Sequence, residues 1–189
     1  MSQENIFAKG KLFELVQTTQ PDGRVFEVAR RAPGVRIIIH DKTQGKVLLT
    51  KEFRSELNGW DFRLPGGKVF DSLDEYEAHR TSGEDIVVVA EAKAKAESIE
   101  ETGIVLNGLR LVRKSTLGAT VEWDLYIFES DNWEMHELGQ QLEHGEQIEA
   151  ENWFTYAEVE DKILSGEMQE DRIALVLLQW THQQQKGQS

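Results

Sequence analysis

The acidic segment Glu97-Ser98-Ile99-Glu100-Glu101-Thr102-Gly103 constrains this chain more than any other stretch. On a helix, Glu97, Glu100 and Glu101 are spaced i, i+3 and i+4, so they share one face. Like charges this close repel one another and weaken a helix unless a positive charge lies over them. Hard divalent cations such as Mg²⁺ take carboxylate oxygens as ligands. The segment therefore indicates either a metal-binding helix face or an acidic face in contact with solvent.

A long helix is predicted to carry this segment. It begins near residue 84 and ends before Gly103, because glycine is typical of the position that follows a helix. Ala92, Ala96, Ile99 and Gly103 fall on one narrow stripe, which we expect to face the core. The carboxylates would then project away from the packing face.

Short apolar runs on both sides of this helix predict β-strands, and strands interrupted by one long helix indicate a mixed α+β domain. The run from Trp60 to Leu64 alternates large apolar and charged residues, as a half-buried strand does, and leads directly into Pro65-Gly66-Gly67. Arg36 interrupts another apolar run, and we expect it on the outer face of its strand. Strands are predicted over residues 12–16, 25–28, 35–40, 47–49, 60–64, 109–112, 121–128 and 148–154, and helices over 73–80, 84–102, 156–164 and 172–180.

The chain divides into three parts. Gln20-Pro21-Asp22-Gly23 is a turn sequence, since proline presets φ and glycine accepts positive φ, and it predicts an N-terminal antiparallel hairpin at residues 1–34. The main domain follows at residues 35–182, with an insertion at about residues 68–89, and a mobile polar tail is expected at residues 183–189. Within the insertion, Ser72 and Glu75 fit a capping box for a short helix.

The composition excludes several functional classes. The formal net charge of −13 over 189 residues predicts a surface that repels nucleic acid and anionic membranes. There is no cysteine, so disulfides, thiolate metal sites and cysteine nucleophiles are excluded. No secretory signal and no apolar run of membrane-spanning length is evident. We therefore expect a cytoplasmic protein with neither nucleic acid nor membrane as a partner.

The segment Leu64-Pro65-Gly66-Gly67, followed by Glu97-x-x-Glu100-Glu101-x-Gly103-Ile104, resembles the Nudix box, G-x5-E-x7-R-E-U-x-E-E-x-G-U, in which U is aliphatic. About fifteen residues are inserted between its two halves here. Ala96 stands at the arginine position, Val88 at the place of the first glutamate, and Ser98 where an aliphatic residue is usual.

A wider resemblance, over roughly residues 11–180, is to ADP-ribose and nucleotide-sugar pyrophosphatases, in which a Q-Y-R-like triplet is common where this chain has Glu52-Phe53-Arg54. It implies a Nudix-like mixed β-sheet sandwiched between helices, and a Mg²⁺ cofactor that Mn²⁺ can replace. The implied metal ligands are Glu97, Glu100, Glu101 and the Gly66 carbonyl, and Glu101 is also counted as catalytic.

The resemblance also implies a general base from a late loop. Glu146 is preferred over Glu143 for this role, and the alternative for both is a solvated acidic loop. Arg54 is the candidate for holding substrate phosphate, because a guanidinium can bind phosphate oxygens bidentately. Its alternative is an ion pair with a neighbouring glutamate. Arg63, Gly67 and Trp60 complete the predicted substrate site, with strand packing as the alternative for Trp60.

The implied function is a Mg²⁺-dependent pyrophosphatase that splits a nucleotide sugar or ADP-ribose into a nucleoside monophosphate and a sugar phosphate. Hydrolysis of a nucleoside triphosphate is the alternative among enzymes. A non-catalytic domain that senses a nucleotide metabolite is the alternative outside them. Because the resembled branch often dimerises through its N-terminal strands, we also expect a homodimer.

Overall fold

The computed structural model describes residues 3–187, and this range contains twelve strands and four helices. The strands are β1 (Gln3–Lys9), β2 (Glu14–Thr19), β3 (Val25–Arg30), β4 (Gly34–Asp41), β5 (Lys46–Arg54), β6 (Gly59–Arg63), β7 (Ile104–Leu106), β8 (Arg110–Ser115), β9 (Val121–Glu122), β10 (Leu125–Ser130), β11 (Trp133–Met135) and β12 (Ile148–Thr155). The helices are α1 (Leu73–Ser82), α2 (Ile86–Thr102), α3 (Tyr156–Leu164) and α4 (Asp171–Gly187).

A mixed sheet forms the centre of the fold. Its order is β12-β5-β4-β10-β8, and β6 pairs with β5 beside this path. β4 and β10 run parallel, and the other neighbours are antiparallel. Ile37 and Ile39 of β4 pack on the side of α2, and Ile38 packs on the side of α3 and α4, because successive strand residues point to opposite faces. The predicted α+β fold, a mixed sheet between helices, is confirmed.

The N-terminal strands form a second sheet in the order β1-β2-β3-β9. β2 and β3 are the predicted antiparallel hairpin, while β1 adds a strand that the sequence analysis missed. β9, from the second half of the chain, pairs with β3 in parallel. The buried Arg30 side chain makes ion pairs with Glu4, Glu14 and Glu122. The N-terminal sheet is thus joined to the main domain by backbone pairing and by charge.

Helix α1 lies within the predicted insertion. The Ser72 hydroxyl accepts a hydrogen bond from the Glu75 N–H at 3.2 Å, as the capping box predicts. The Glu75 carboxylate accepts from the Asp71 N–H at 3.1 Å, one residue before the position that a capping box requires. Arg80, near the end of α1, lies 3.8 Å from Glu4 of β1. The insertion therefore packs close to the N-terminal sheet.

The prediction of which face of α2 packs on the core was wrong. Ala90 and Ala94 are fully buried against the sheet, whereas Ala92 and Ala96 are exposed. Two small side chains four residues apart let the helix approach the sheet closely. The carboxylate face borders this packing stripe, and Glu97 is only 8% exposed.

Helix α4 continues through residues 183–187, so the beginning of the predicted mobile tail is helical. The last two residues of that tail, 188–189, lie outside the described residues. Within residues 3–187, none of the helices combines the length and the apolar character needed to span a membrane.

Candidate active site

The Pro65-Gly66-Gly67 segment passes between the start of β4 and the side of α2. The Val35 N–H donates to the Gly67 carbonyl at 2.9 Å. Gly66 has a φ of +137°, and a Cβ there would lie 2.4 Å from the Val35 carbonyl oxygen. A Cβ on Gly67 would lie 2.2 Å from Oε1 of Glu97. Gly66 therefore requires glycine, whereas a side chain at residue 67 would displace the Glu97 carboxylate from the backbone.

Two of the predicted metal ligands meet this glycine pair. Oε2 of Glu101 accepts a hydrogen bond from the Gly66 N–H at 2.7 Å. Glu97 lies beside Gly67, and its Oε1 is 3.1 Å from Nζ of Lys93. The two carboxylates thus face the same dipeptide from one side of α2.

The protonation behaviour of this face is perturbed. Burial raises the pKa of Glu101 to about 8, and the hydrogen bond from Gly66 and the charge of Arg36 oppose this only in part. The pKa of Glu100 is also raised, first by burial and then by the charge of Glu97. Glu101 therefore favours a bound proton or a bound cation over the bare anion, and burial acts in the same direction on Glu100.

A loop between β11 and β12 is tied to the end of α2. The Gln140 side-chain amide donates to the Glu101 carbonyl at 2.6 Å and to the Ile148 carbonyl at 3.1 Å. The Gln141 N–H donates to the Glu100 carbonyl at 2.8 Å. These bonds hold the loop next to the acidic helix face.

The two candidate general bases belong to this loop. Glu143 and Glu146 both line the cleft described below, and both are exposed. The Glu146 carboxylate accepts a hydrogen bond from the Glu143 N–H at 3.0 Å. Since both have access to the cleft, the preference for Glu146 stays a prediction.

The predicted phosphate-binding residues, Arg54 and Arg63, have guanidinium groups that are already paired. Within 3.0 Å of them lie the carboxylates of Glu52, Glu56, Asp61 and Glu170. Arg54 therefore forms the ion pair with neighbouring glutamates that was the alternative to phosphate binding. The Arg54 side chain is 30% exposed and that of Arg63 is 13% exposed, so Arg54 is the more accessible of the two.

Trp60 is the predicted substrate residue that does not line the cleft described below. Its side chain is exposed, packs edge-to-face with Phe53 and has Nζ of Lys51 at 5.2 Å from its ring centroid. Strand residues alternate between faces, so Trp60 of β6 points away from the side to which Arg63 points. The alternative of strand-core packing does not describe this exposed ring either.

One cleft of about 220 Å³ brings the remaining candidates together. Its lining combines carboxylates with guanidinium groups, a mixture that suits an anion held by both cations and arginines. The predicted residues in its lining are Arg54, Arg63, Gly66, Gly67, Glu97, Glu100, Glu101, Glu143 and Glu146.

Comparison with known proteins identifies the family of this chain. A sequence profile of the NUDIX domain matches residues 30–175, which is most of the chain. The chain belongs to the NUDIX domain family. The predicted resemblance to the Nudix family is thereby confirmed.

Among solved structures, this NUDIX domain resembles one described as "Crystal structure of ADP compounds hydrolase". The TM-score is 0.68 and the sequence identity is 18%, over 99% of this chain and 94% of that chain. At this identity the likeness concerns the fold. No curated protein matches the chain.

NUDIX domains generally use a divalent cation, and the donor set of this one fits such an ion in its chemistry. Glu97 and Glu101 converge on one dipeptide and offer the hard oxygen ligands that Mg²⁺ takes. In the part of the chain that the structure describes, no three His, Asp or Glu side chains are already arranged around a metal position. Oε1 of Glu97 pairs with Lys93 and Oε2 of Glu101 accepts from Gly66, so each carboxylate has a second oxygen outside these contacts.

Arg36 is a site residue that the sequence analysis missed. The prediction that it lies on the solvent-facing side of its strand was wrong. Its side chain is 12% exposed and lines the cleft. Nη1 donates to the Gly66 carbonyl at 2.7 Å and to the Val35 carbonyl at 2.8 Å. Its Nε is buried and has no hydrogen-bond partner among the described residues, and burial lowers its pKa. β4 is a central strand with both faces covered, so a charge near its start cannot face solvent.

Trp123 is a second missed residue of the cleft lining. Its ring contacts the guanidinium groups of both Arg31 and Arg172, which lie 4.2 and 4.4 Å from the ring centroid. These arginines follow β3 and begin α4, so no local pattern could bring them to one tryptophan. Lys93 is different, because its i, i+4 spacing to Glu97 is readable from the sequence.

Proposed function

We propose that this NUDIX domain is a Mg²⁺-dependent pyrophosphatase that hydrolyses the diphosphate bond of a nucleotide sugar or of ADP-ribose. The products would be a nucleoside monophosphate and a sugar phosphate. The observation that carries the proposal is a cleft lined by Glu97, Glu100 and Glu101 together with Arg54 and Arg63. A diphosphate is an anion that a carboxylate-bound cation and guanidinium groups can hold jointly.

The acidic face of α2 would hold the metal in this proposal, through Glu97, Glu100 and Glu101. Mg²⁺, or Mn²⁺ in its place, supplies charge neutralisation and an acidified water when bound. Gly66 and Gly67 line the same cleft, and their lack of side chains lets the backbone lie against the helix. Arg54 then turns from its paired glutamates to the phosphate oxygens, and Arg63 lines the same side.

The proton of the attacking water needs an acceptor. A carboxylate oxygen of Glu146 takes it in this proposal, and Glu143 is the second candidate. The water oxygen forms a bond to one phosphorus, the bond from that phosphorus to the bridging oxygen breaks, and each product keeps one phosphate. Gln140 supports the step by holding the loop against the end of α2.

The substrate class has two supports. The Glu52-Phe53-Arg54 triplet and the N-terminal hairpin resemble ADP-ribose and nucleotide-sugar pyrophosphatases. A protein of the same fold is described as an ADP compounds hydrolase. A nucleoside triphosphate offers the same anhydride and is the second candidate. The third candidate function is that of a non-catalytic sensor. It is favoured by Ala96 and Val88, which replace the arginine and the first glutamate of the Nudix box.

The test is a substrate panel with controlled metal. The chain is incubated with ADP-ribose, several nucleotide sugars and nucleoside triphosphates, in Mg²⁺, in Mn²⁺ or in chelator, and products are identified by anion-exchange chromatography and ³¹P NMR. We expect a nucleoside monophosphate and a sugar phosphate only when metal is present. Turnover of triphosphates alone would change the substrate class, and binding without any turnover would favour the sensor.

We also propose that the chain forms a homodimer through its N-terminal sheet. The support is a group of large apolar side chains, in the N-terminal strands and the β1–β2 connection, that are each more than one third exposed. A concentration of exposed apolar side chains commonly marks an association site. The group consists of Ile6, Phe7, Leu12, Phe13, Leu15, Val25 and Phe26.

A further inference from the structure

Arg36 holds the backbone carbonyl that the Nudix resemblance assigns to a metal ion. Its Nη1 donates to the Gly66 carbonyl at 2.7 Å and to the Val35 carbonyl at 2.8 Å. We propose that the Arg36 guanidinium takes the place of a cation at the Gly66 carbonyl, so that metal in this chain is held by the carboxylates of α2 without that carbonyl. The inference rests on the metal-dependent function proposed above.

The surroundings of Arg36 hold its guanidinium in this position. Two carbonyl oxygens accept from the same Nη1, and Oε2 of Glu170 lies 3.9 Å from Nη2. The Gly66 N–H is engaged as well, since it donates to Glu101 at 2.7 Å. The backbone on both sides of Gly66 is also held, since the Ile37 N–H donates to the Pro65 carbonyl and the Val35 N–H donates to the Gly67 carbonyl, both at 2.9 Å.

A metal ion on the same carbonyl would meet a like charge. Mg²⁺ lies about 2.1 Å from its oxygen ligands, so it would be at most about 5 Å from Nη1 of Arg36. Arg63 adds a second positive charge close to this point. Its charge adds to the effect of burial in lowering the pKa of Arg36. Because Arg36 is buried, water screens such repulsion weakly. Glu97 and Glu100 extend along α2 and can hold a metal without displacing Arg36.

The guanidinium differs from a metal ion in one respect that matters for the cleft. Arginine keeps its charge at any physiological pH, and a chelator cannot remove it. The cleft would therefore keep one fixed positive charge next to Gly66 when metal is absent. Ala96 stands where the Nudix box has an arginine. In this chain it is Arg36 that holds the glycine segment, through its hydrogen bond to the Gly66 carbonyl.

The first test uses the unaltered chain. Backbone carbonyl and glutamate carboxyl ¹³C resonances are followed by NMR during titration with MgCl₂ without substrate. We expect carboxyl carbons of the α2 ligands, Glu97 and Glu100 with or without Glu101, to shift while the Gly66 carbonyl carbon does not. The scalar coupling from Arg36 Nη1 across its hydrogen bond should persist at saturation.

Two results would overturn the inference, and they can be told apart. A large shift of the Gly66 carbonyl carbon with loss of that coupling would make the carbonyl a metal ligand and leave the proposed function intact. No shift of any glutamate carboxyl would show that the metal site is absent, and the proposed function would fall with the inference.

The second test measures Mn²⁺ affinity by electron paramagnetic resonance. Arg36→Gln should bind Mn²⁺ at least about fivefold more tightly, because removing a buried like charge frees the carbonyl. Arg36→Lys keeps the charge and should stay within about twofold of the unaltered chain. Arg110→Gln is the matched control, since Arg110 is exposed and pairs with Glu129 outside the cleft. Affinity in folded Arg36→Gln that is unchanged or weaker would overturn the inference.

Discussion

The carboxylate of Glu101 accepts a hydrogen bond from the backbone N–H of Gly66 at 2.7 Å. Glu101 stands at the end of α2 and Gly66 follows β6, so this bond closes the glycine segment onto the helix. The same carboxylate is the predicted metal ligand whose pKa is raised to about 8. A cation at this site therefore competes with both a proton and a hydrogen bond for one group.

Substituting Glu101→Gln separates the charge from the hydrogen bond. The amide oxygen can still accept from the Gly66 N–H, so the melting temperature in chelator at pH 7 should stay within a few degrees. Turnover in Mg²⁺ should fall by at least about 100-fold, because a metal ligand is lost. Parallel thermal unfolding and product assays check both expectations. Glu137→Gln, at an exposed position outside the cleft, is the control. Full activity in Glu101→Gln would rule out its assignment as a ligand.

The raised pKa of Glu101 also predicts how stability depends on pH. The folded chain binds a proton at this residue up to about pH 8, whereas the unfolded chain releases it near the ordinary value of 4.5. The folded state thus holds more protons in this window, and stability should decrease as pH rises from about 5 to about 8. Urea unfolding in chelator across this range measures the slope.

Glu101→Gln cannot release this proton, so its stability should change less over the same window. Saturating Mg²⁺ should also reduce the loss at high pH, because a cation can replace the proton. An identical pH slope in the substituted and unaltered chains would assign the effect to other groups.

Substituting Gly67→Ala should damage the metal site. The new Cβ would lie 2.2 Å from Oε1 of Glu97, so this carboxylate would be forced to move. We expect Mn²⁺ affinity to fall by about tenfold or more, which corresponds to about 1.4 kcal/mol. Gly108→Ala is the matched control, because its Cβ would meet nothing within 4 Å. Equal Mn²⁺ affinity in both variants would mean that Glu97 is not a ligand in its observed position.

Substituting Gln140→Ala should release the loop that carries the candidate bases. Its side-chain amide donates to the Glu101 and Ile148 carbonyls, and both bonds would be lost. We expect kcat to fall by about tenfold while Mn²⁺ affinity stays unchanged, because the loop supplies the base and not the metal ligands. Gln141→Ala is the control, since Gln141 ties the loop to α2 through its backbone N–H, while its side-chain amide contacts His136 within the same loop. A fall in kcat that is equal in both variants would argue against this role for Gln140.

Substituting Phe26→Glu tests the proposed dimer. Phe26 is 49% exposed on the N-terminal sheet, and a charge there should disfavour burial against a second copy. Light scattering should give the mass of a dimer for the unaltered chain and of a monomer for the variant. Leu164→Glu, at a residue of α3 that is 75% exposed, should remain dimeric. A monomeric unaltered chain would exclude the dimer.

Features that depend on residues near in sequence could be predicted. Asp85 and Gly103 bound α2, and Ser72 caps α1, because each acts on backbone within three or four residues. The acidic face of α2 and the glycine pair likewise follow from local spacing. The position of Trp60 could have been foreseen, since the two-residue period of a strand separates it from Arg63.

Features that depend on residues distant in the sequence could not be predicted. Arg36 contacts Gly66 thirty residues later, and no spacing rule indicates which face of a central strand borders a cleft. Trp123 meets two arginines from opposite ends of the chain. The face of α2 that packs was predicted wrongly because alanines occupy both candidate stripes, and only the sheet beneath decides between them.

The ion pairs of Arg30 bear on where this chain can be shortened. Its guanidinium is 5% exposed and shared among Glu4, Glu14 and Glu122, which come from β1, β2 and β9. A chain trimmed to begin at residue 35 would leave Glu122 without this partner and would expose the edge of β9. A chain trimmed only of β1 would leave a buried cation with one counter-charge fewer. Anyone who wants a minimal catalytic unit must therefore keep the first strand or redesign this charge cluster as a whole.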